Sequence, residues 1–251
     1  MHLKHYRIFI ISLALSGIIV AIKYFLHYLD VEIITLGSLH TSVIAGTFFV
    51  IGFLLSATIA DYKESERIPA EAASILENMY EDACSIHTNY PDFDIRKFQK
   101  RLLKVATTLA SDIRHNQHDA HQHIHKLASS FSEMETAKVP ANFIVKLKQQ
   151  QAQLLRHLLR VNYIQRIIFI PSASVLAWSI VTVAIVMLLC TEIEPFFAGV
   201  LLVAGISFIF IYMLLLLRVI RTPFHSAGAT RDDVSLFLLD DAVEHIKKKK
   251  L

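Results

Sequence analysis

The hydrophobic pattern of the chain is dominated by four mostly apolar stretches, two near the beginning and two in the last third. An α-helix rises about 1.5 Å per residue, so about 20 apolar residues cross the hydrocarbon core of a bilayer. Each stretch has this length, and the first lacks the small-residue cleavage site of a signal peptide. The pattern therefore predicts four transmembrane helices at residues 8–29, 41–60, 172–191 and 195–217.

Charged residues that flank these stretches predict their orientation. Lys and Arg lie on one side of the bilayer throughout, while the two short connecting loops contain acidic residues only. Because cytoplasmic segments are enriched in Lys and Arg, we expect both termini and residues 61–171 in the cytoplasm, in a multi-pass protein of the inner (plasma) membrane. The basic residues are Lys4, Arg7, Lys63, Arg67, Arg160, Arg166, Arg218 and Arg221, and the acidic ones are Asp30, Glu32, Glu192 and Glu194.

The polar middle of the chain has helical rather than strand-like periodicity. Between residues 95 and 116, apolar residues recur at the spacing of one helix face, at Phe98, Leu102, Val105, Leu109 and Ile113. Further helices are predicted at residues 70–86 (after Pro69), 121–134, 142–165 and 236–246. We expect an all-α membrane protein, with transmembrane helices 1 and 2 in residues 1–60, a cytoplasmic helical domain in 61–171, transmembrane helices 3 and 4 in 172–217 and a cytoplasmic segment in 218–251.

Composition narrows the possible classes of function. Hydrophobic residues make up 54% of the chain, against about 45–50% in soluble domains. The net charge is only +3, and the Lys and Arg residues form no basic stripe. Both features argue against a nucleic-acid partner. The cysteines, Cys84 and Cys190, do not suggest a disulfide framework. No phosphate-binding loop, dinucleotide-binding turn, serine elbow or zinc-protease motif occurs, so we expect a protein that is not an enzyme and has no cofactor.

Some ionisable residues stand out from this background. His121 and His125 are one helical turn apart and could hold a metal ion or respond to pH, but no further pair of ligands lies nearby in sequence. We therefore favour an exposed polar turn and predict no metal site. Lys23 and His27 interrupt the first apolar stretch and are expected to reach the interface or face water inside an assembly. The complete histidine cluster is His115, His118, His121, His123 and His125.

Three sequence segments, in this order, resemble the bestrophin and bestrophin-like channel family. The first is the apolar helix Gly-Thr-Phe-Phe-Val-Ile-Gly-Phe-Leu at 46–54, which runs into Asp-Tyr-Lys-Glu-Ser-Glu-Arg at 61–67. The second is the long helix after Pro140 that leads to Ile-Phe-Ile-Pro at 168–171. The third is Arg-Thr-Pro-Phe at 221–224, followed by Asp232, Asp233 and a closing helix. Because Thr222 replaces the family's Asn and the acidic run is short, the resemblance is to a distant bacterial-type member without implied calcium gating.

The resemblance implies a homopentamer in a lipid bilayer, in which five copies of the second helix surround a central pore for small inorganic ions. Phe49 and Phe53 are the first candidates for a hydrophobic pore neck, with Ala45 at the same spacing. A ring of apolar side chains can gate ion flow by dewetting. An offset alignment selects Val50, together with Gly46 and Leu54.

A second, cytoplasmic constriction is implied where the long helix begins, with Phe143 as first choice and Asn142 as second. The charged residues Asp61, Glu64, Glu66 and Arg67 either line the cytoplasmic vestibule or form a structural charge cluster, which is solvated or pairs with Arg and Lys of neighbouring subunits. Charge selectivity and the gating stimulus stay open. The alternative functions are a membrane-anchored helical scaffold or sensor and, in third place, an intramembrane enzyme or transporter.

Overall fold

In a computed structural model, residues 6–166, 171–224 and 234–248 are described. They form nine helices and two short strands, arranged in two compact units. The first unit comprises Met1–Tyr62 and Ile168–Arg221, and the second comprises Lys63–Ile167 and Thr222–Leu251. Asp232 and Asp233, and residues 168–170 of the Ile-Pro step, lie outside the described residues.

The first unit contains four helices that are long and apolar enough to cross a membrane, with mean hydropathy between 2.2 and 2.9. They are α1 (Arg7–Tyr28), the beginning of α2 (Ser38–Asn89), α7 (Pro171–Leu189) and α8 (Phe196–Ile220). These helices match the four predicted apolar helices to within a few residues at each end, and α2 continues past residue 60 without a break. The described residues are thus mostly helical, with four candidate membrane-spanning helices.

Aromatic and aliphatic side chains hold the membrane unit together. Phe9 of α1 meets Phe208 of α8 edge to face, with ring centroids 5.4 Å apart. Phe48 of α2 meets Phe210 of α8 at 4.6 Å, inside a cluster that includes Ile51. Offset and edge-to-face ring pairs are favourable beyond the area that they bury, so α8 forms the centre of this packing.

Two strands, β1 (Ile34–Thr35) and β2 (Thr191–Glu192), pair in parallel within the membrane unit. They lie in the α1–α2 and α7–α8 connections, so this pairing ties the two loops together. No strand was expected from the sequence, because two residues are too few to produce an alternating pattern. The third span was predicted to reach residue 191, but α7 ends at Leu189 because Thr191 belongs to β2.

The second unit is built from the rest of α2 with α3 (Ile95–His115), α4 (Ala120–Lys126), α5 (Ala128–Thr136), α6 (Ala141–Arg166) and α9 (Phe237–Lys248). Asp94 caps α3 by accepting a hydrogen bond from the Lys97 backbone N–H at 3.0 Å. The predicted core face of α3 is confirmed, since its members are at most 3% exposed: Phe98, Leu102, Val105, Leu109 and Ile113.

Two details of this unit differ from the prediction. The helix expected to restart after Pro69 is continuous, because Pro69 lies inside α2 without ending it. The helix expected at residues 121–134 is divided into α4 and α5 at Leu127. There, the Leu127 N–H donates a hydrogen bond to Ile124 O, and the Ser130 N–H donates one to Leu127 O. Both hydrogen bonds have the three-residue spacing of a 3₁₀ turn.

Candidate pore face and ion-pair sites

One face of α2 in the membrane unit is open, and the opposite face is packed. Phe49 and Phe53 are 76% and 69% exposed, and Ala45 is exposed on the same face. Ile51 and Thr58, on the other side, are at most 2% exposed. The three first-choice neck residues therefore share one unpacked helical face.

The open face of α2 is not uniformly apolar. Ser42, Gly46, Ser56 and Ala60 are exposed on it, and a side chain added at Gly46 would meet no atom within 4 Å. A helix face in contact with hydrocarbon alone is normally lined by large apolar side chains. Small and hydroxyl side chains that alternate with phenylalanine suit close approach of neighbouring helices, or contact with water.

The offset set of neck residues occupies a different environment. Val50 and Leu54 are half-buried, and Leu54 packs against the core cluster of the membrane unit. Gly46 alone of this set is exposed. Val50 thus lies at the edge between the packed and open faces, while Phe49 and Phe53 point away from the packed core.

The candidate cytoplasmic constriction lies in the first turn of α6. Asn142 is exposed, and Phe143 is 39% exposed. The next residue, Ile144, is 3% exposed and belongs to the core of the second unit. Ile144 thus fixes the start of α6, while Asn142 and Phe143 lie at the surface of the subunit.

A buried ion-pair cluster in the membrane unit was not predicted. The Lys23 ammonium lies 2.6 Å from Glu32 Oε1 and also donates hydrogen bonds to the carbonyl oxygens of Leu189 and Thr191. Lys23 is 1% exposed, whereas it was expected to snorkel or face water. Because a buried ammonium needs charged or polar partners, the loops that supply them are tied to α1.

His27 joins the same cluster through Glu32. Its Nδ1 lies 3.0 Å from Glu32 Oε2, and its ring stacks on Phe196 with centroids 3.9 Å apart. Burial alone would raise the pKa of Glu32, but hydrogen bonds from Lys23 and His27 outweigh burial and lower that pKa below its ordinary value. A charged residue inside an apolar stretch implies a partner of opposite charge. The acidic loop that follows α1 was therefore the feature of the sequence that pointed to a partner for Lys23.

The charged residues after the second span make pairs within the subunit. Arg160 donates to both carboxylate oxygens of Glu64, at 3.1 and 2.8 Å. The hydrogen bonds from Arg160 lower the pKa of Glu64. Arg67 pairs with Glu71 one turn further along α2, at 3.0 Å. Both pairs lie within one subunit, whereas the charge cluster was expected to be solvated or to form between subunits, so the role of these residues at the vestibule stays a prediction.

Four of the five histidines, all except the half-buried His123, are exposed on and around α4. His121 Nε2 lies 3.4 Å from His125 Nε2, and His118 contacts Asn162 at 3.2 Å. Among the described residues, no group of three or more His, Cys, Asp or Glu side chains could hold a metal ion. This part of the chain therefore offers two adjacent imidazoles rather than a complete coordination shell.

Comparison with known proteins identifies the class of this fold. No protein-family model matches the sequence, and no curated protein matches it either. The chain is similar in structure, however, to a point-substituted bestrophin homologue from Klebsiella pneumoniae, with a TM-score of 0.80 and 12% identity over 96% of this chain and 99% of that one. A second variant gives a TM-score of 0.80 and 11% identity over 95% and 97% of the two chains.

A third similar structure is described as a membrane protein, with a TM-score of 0.78 and 13% identity over 95% of this chain and 97% of that one. The chain shares this fold and has four helices long and apolar enough to cross a membrane. Its fold is that of the bacterial bestrophin homologues over nearly its full length, which confirms the structural side of the resemblance.

Proposed function

We propose that the protein is an ion channel, formed by five copies of this chain around a central pore. The beginning of α2 lines the pore, and Phe49 and Phe53 form its hydrophobic neck. Ala45 continues the lining on one side of the phenylalanines, and Val50 lies at its edge. The substrates are small inorganic ions, and the protein needs no catalytic residue to conduct them.

The observation that carries this proposal is the open face of α2. A phenylalanine pair exposed at 76% and 69% and flanked by small and hydroxyl residues differs from a helix face that contacts lipid alone, and it suits contact with neighbouring copies of the helix. Five such faces around one axis would give rings of phenylalanine that exclude water, between wider rings of serine and alanine. A hydrophobic constriction of this kind gates ion flow by dewetting.

Similarity to the bacterial bestrophin homologues supports the channel assignment. The proposed second constriction is formed by Phe143, with Asn142 beside it. Pore-lining side chains must be free of the subunit core, and both residues are exposed at the beginning of α6. Residues 61–171 and 218–251 would form the cytoplasmic part.

The stoichiometry is tested by native mass spectrometry and electron cryomicroscopy of the full chain in nanodiscs. We expect a pentamer, with α2 nearest the five-fold axis. A closed dimer, or a monomer without a central path, would instead support a membrane-anchored scaffold or sensor.

Sidedness is tested by cysteine labelling in a variant that lacks Cys84 and Cys190. Ile33, 82% exposed, lies in the α1–α2 loop, and Lys138 is exposed between α5 and α6. A membrane-impermeant maleimide added to intact cells is expected to label Ile33→Cys and not Lys138→Cys. Labelling of Lys138→Cys and not of Ile33→Cys would show that the orientation in the membrane is the opposite of the one proposed.

A further inference from the structure

A basic pocket lies in the second unit, between α3 and the α4–α5 segment. Its volume is about 370 Å³, at the lower end of the usual range for small-molecule sites, about 300–1,000 Å³. Five of its six lining residues carry a basic side chain: Lys100, Arg101, Lys104, His123, Lys126 and, as the sixth, Ser129.

Arg101 is the fixed part of this pocket. Its guanidinium donates to both carboxylate oxygens of Glu133, at 2.9 and 3.0 Å, and to Ser130 Oγ at 2.8 Å. Lys97 also reaches Glu133, at 2.6 Å. Hydrogen bonds from Arg101 and Lys97 lower the pKa of Glu133, so one carboxylate is shared between two cations.

The other lysines of the pocket are not compensated. Within the described part of the chain, no carboxylate pairs with Lys100, Lys104 or Lys126. Lys100 and Lys104 are one turn apart on α3, where like charges repel and destabilise a helix. Three exposed lysines without a paired carboxylate line this one open cleft and produce a positive potential that concentrates anions.

We infer that this pocket binds an anion that carries two or more phosphoryl groups. Three lysines match the high negative charge of a diphosphate, which a singly charged anion does not provide. The guanidinium of Arg101 already pairs with Glu133. The ammonium groups of the lysines therefore supply the positive charge that attracts the phosphoryl oxygens. His123, half-buried at the wall, can donate a further hydrogen bond through either ring nitrogen. This site is separate from the proposed pore face and does not depend on conduction.

The test measures binding of inorganic pyrophosphate to the full chain in neutral-lipid nanodiscs by isothermal titration calorimetry, in a metal-free buffer. The test variant replaces Lys100, Lys104 and Lys126 with Gln. The control replaces three exposed cations elsewhere in the same unit with Gln: Lys138, Lys148 and Arg156. Both variants lose the same formal charge.

We expect the wild type and the control to bind pyrophosphate alike, and the test variant to bind about tenfold more weakly, since each exposed ion pair contributes a modest part of the affinity. Wild-type affinity is expected to fall as salt is added. Absence of wild-type binding, or equal weakening in both variants, would overturn the inference. Circular dichroism of each variant confirms that its helices are intact.

A second arm distinguishes a soluble phosphate compound from a lipid headgroup with the same chemistry. The titration is repeated in nanodiscs that contain cardiolipin, whose headgroup carries two phosphates. If the headgroup enters the pocket, cardiolipin weakens pyrophosphate binding more in the control than in the test variant. If cardiolipin affects both equally, the ligand of this phosphate pocket is soluble.

Discussion

Replacing Glu32 with Gln tests whether the buried ion pair holds the loops of the membrane unit together. Lys23 is 1% exposed, and the Glu32 side chain is 6% exposed. The substitution keeps the size of the side chain and removes its charge. It leaves the buried ammonium without an anionic partner, with only neutral acceptors: the new amide oxygen and the Leu189 and Thr191 carbonyl oxygens.

Removing one partner of a buried pair typically costs about 3–5 kcal/mol. Lys23 retains two carbonyl acceptors here, so we expect the low end, about 3 kcal/mol of unfolding free energy. Glu192→Gln is the matched control, because it removes an exposed carboxylate from the same pair of loops. Surface changes of this kind usually cost less than about 0.5 kcal/mol.

The assay is reversible unfolding of the full chain in mixed micelles with increasing sodium dodecyl sulfate, followed by circular dichroism. A double-mutant cycle with Lys23→Met isolates the coupling between the two groups. We expect each single variant to be clearly less stable and the two effects not to add. Equal stability of Glu32→Gln and Glu192→Gln would refute the reasoning.

The same pair predicts a pH dependence with a definite sign. The folded-state pKa of Glu32 is lowered from its ordinary value of 4.5. The pair therefore contributes stability above that pH, and the contribution is lost as the pH falls through the lowered pKa. The stability difference between wild type and Glu32→Gln is expected to be constant near neutral pH and to shrink only below about pH 4.5.

Three further predictions concern the second unit, each measured as the shift in unfolding midpoint of the full chain. Asp112→Ala removes the acceptor that bonds the Ala120 N–H at 2.7 Å, and we expect a loss of about 1–3 kcal/mol for that orphaned donor. Leu102→Ala, at a fully buried position, is expected to cost about 2–5 kcal/mol, and exposed Leu159→Ala almost nothing; equal costs would contradict the assigned core. Glu64→Gln breaks a half-exposed pair with Arg160, so its cost should stay below about 1 kcal/mol and fade with salt.

Periodicity and charge predicted the larger elements well. The prediction of the four apolar helices depends on length and hydropathy alone. The prediction of the α3 core face depends on the regular spacing of apolar residues. Both properties can be seen in a single sequence. The continuity of α2 through Pro69 was missed because Pro is a general helix breaker. The division of α4 from α5 was also missed, because it depends on local hydrogen bonds at Leu127 rather than on composition.

Sites that depend on contacts between distant segments were harder to predict. The partners of Lys23 come from Glu32 and from the carbonyl groups of residues 189 and 191, and no local pattern links these positions. Similarly, the basic pocket joins Lys100 and Lys104 to Lys126 only after α3 and α4 have packed. The pore-neck residues stay predictions, because their proposed role depends on neighbouring copies of the chain.

Current recording in planar bilayers tests the channel assignment most directly. The purified wild type is compared, in a KCl gradient, with Phe49→Ala/Phe53→Ala and with the control Phe197→Ala/Leu201→Ala. The control also removes two large residues one turn apart, 80% and 75% exposed, from α8. We predict discrete wild-type currents with a defined reversal potential, larger currents in the neck variant and unchanged currents in the control. Absence of current from folded samples of both wild type and neck variant would contradict the account.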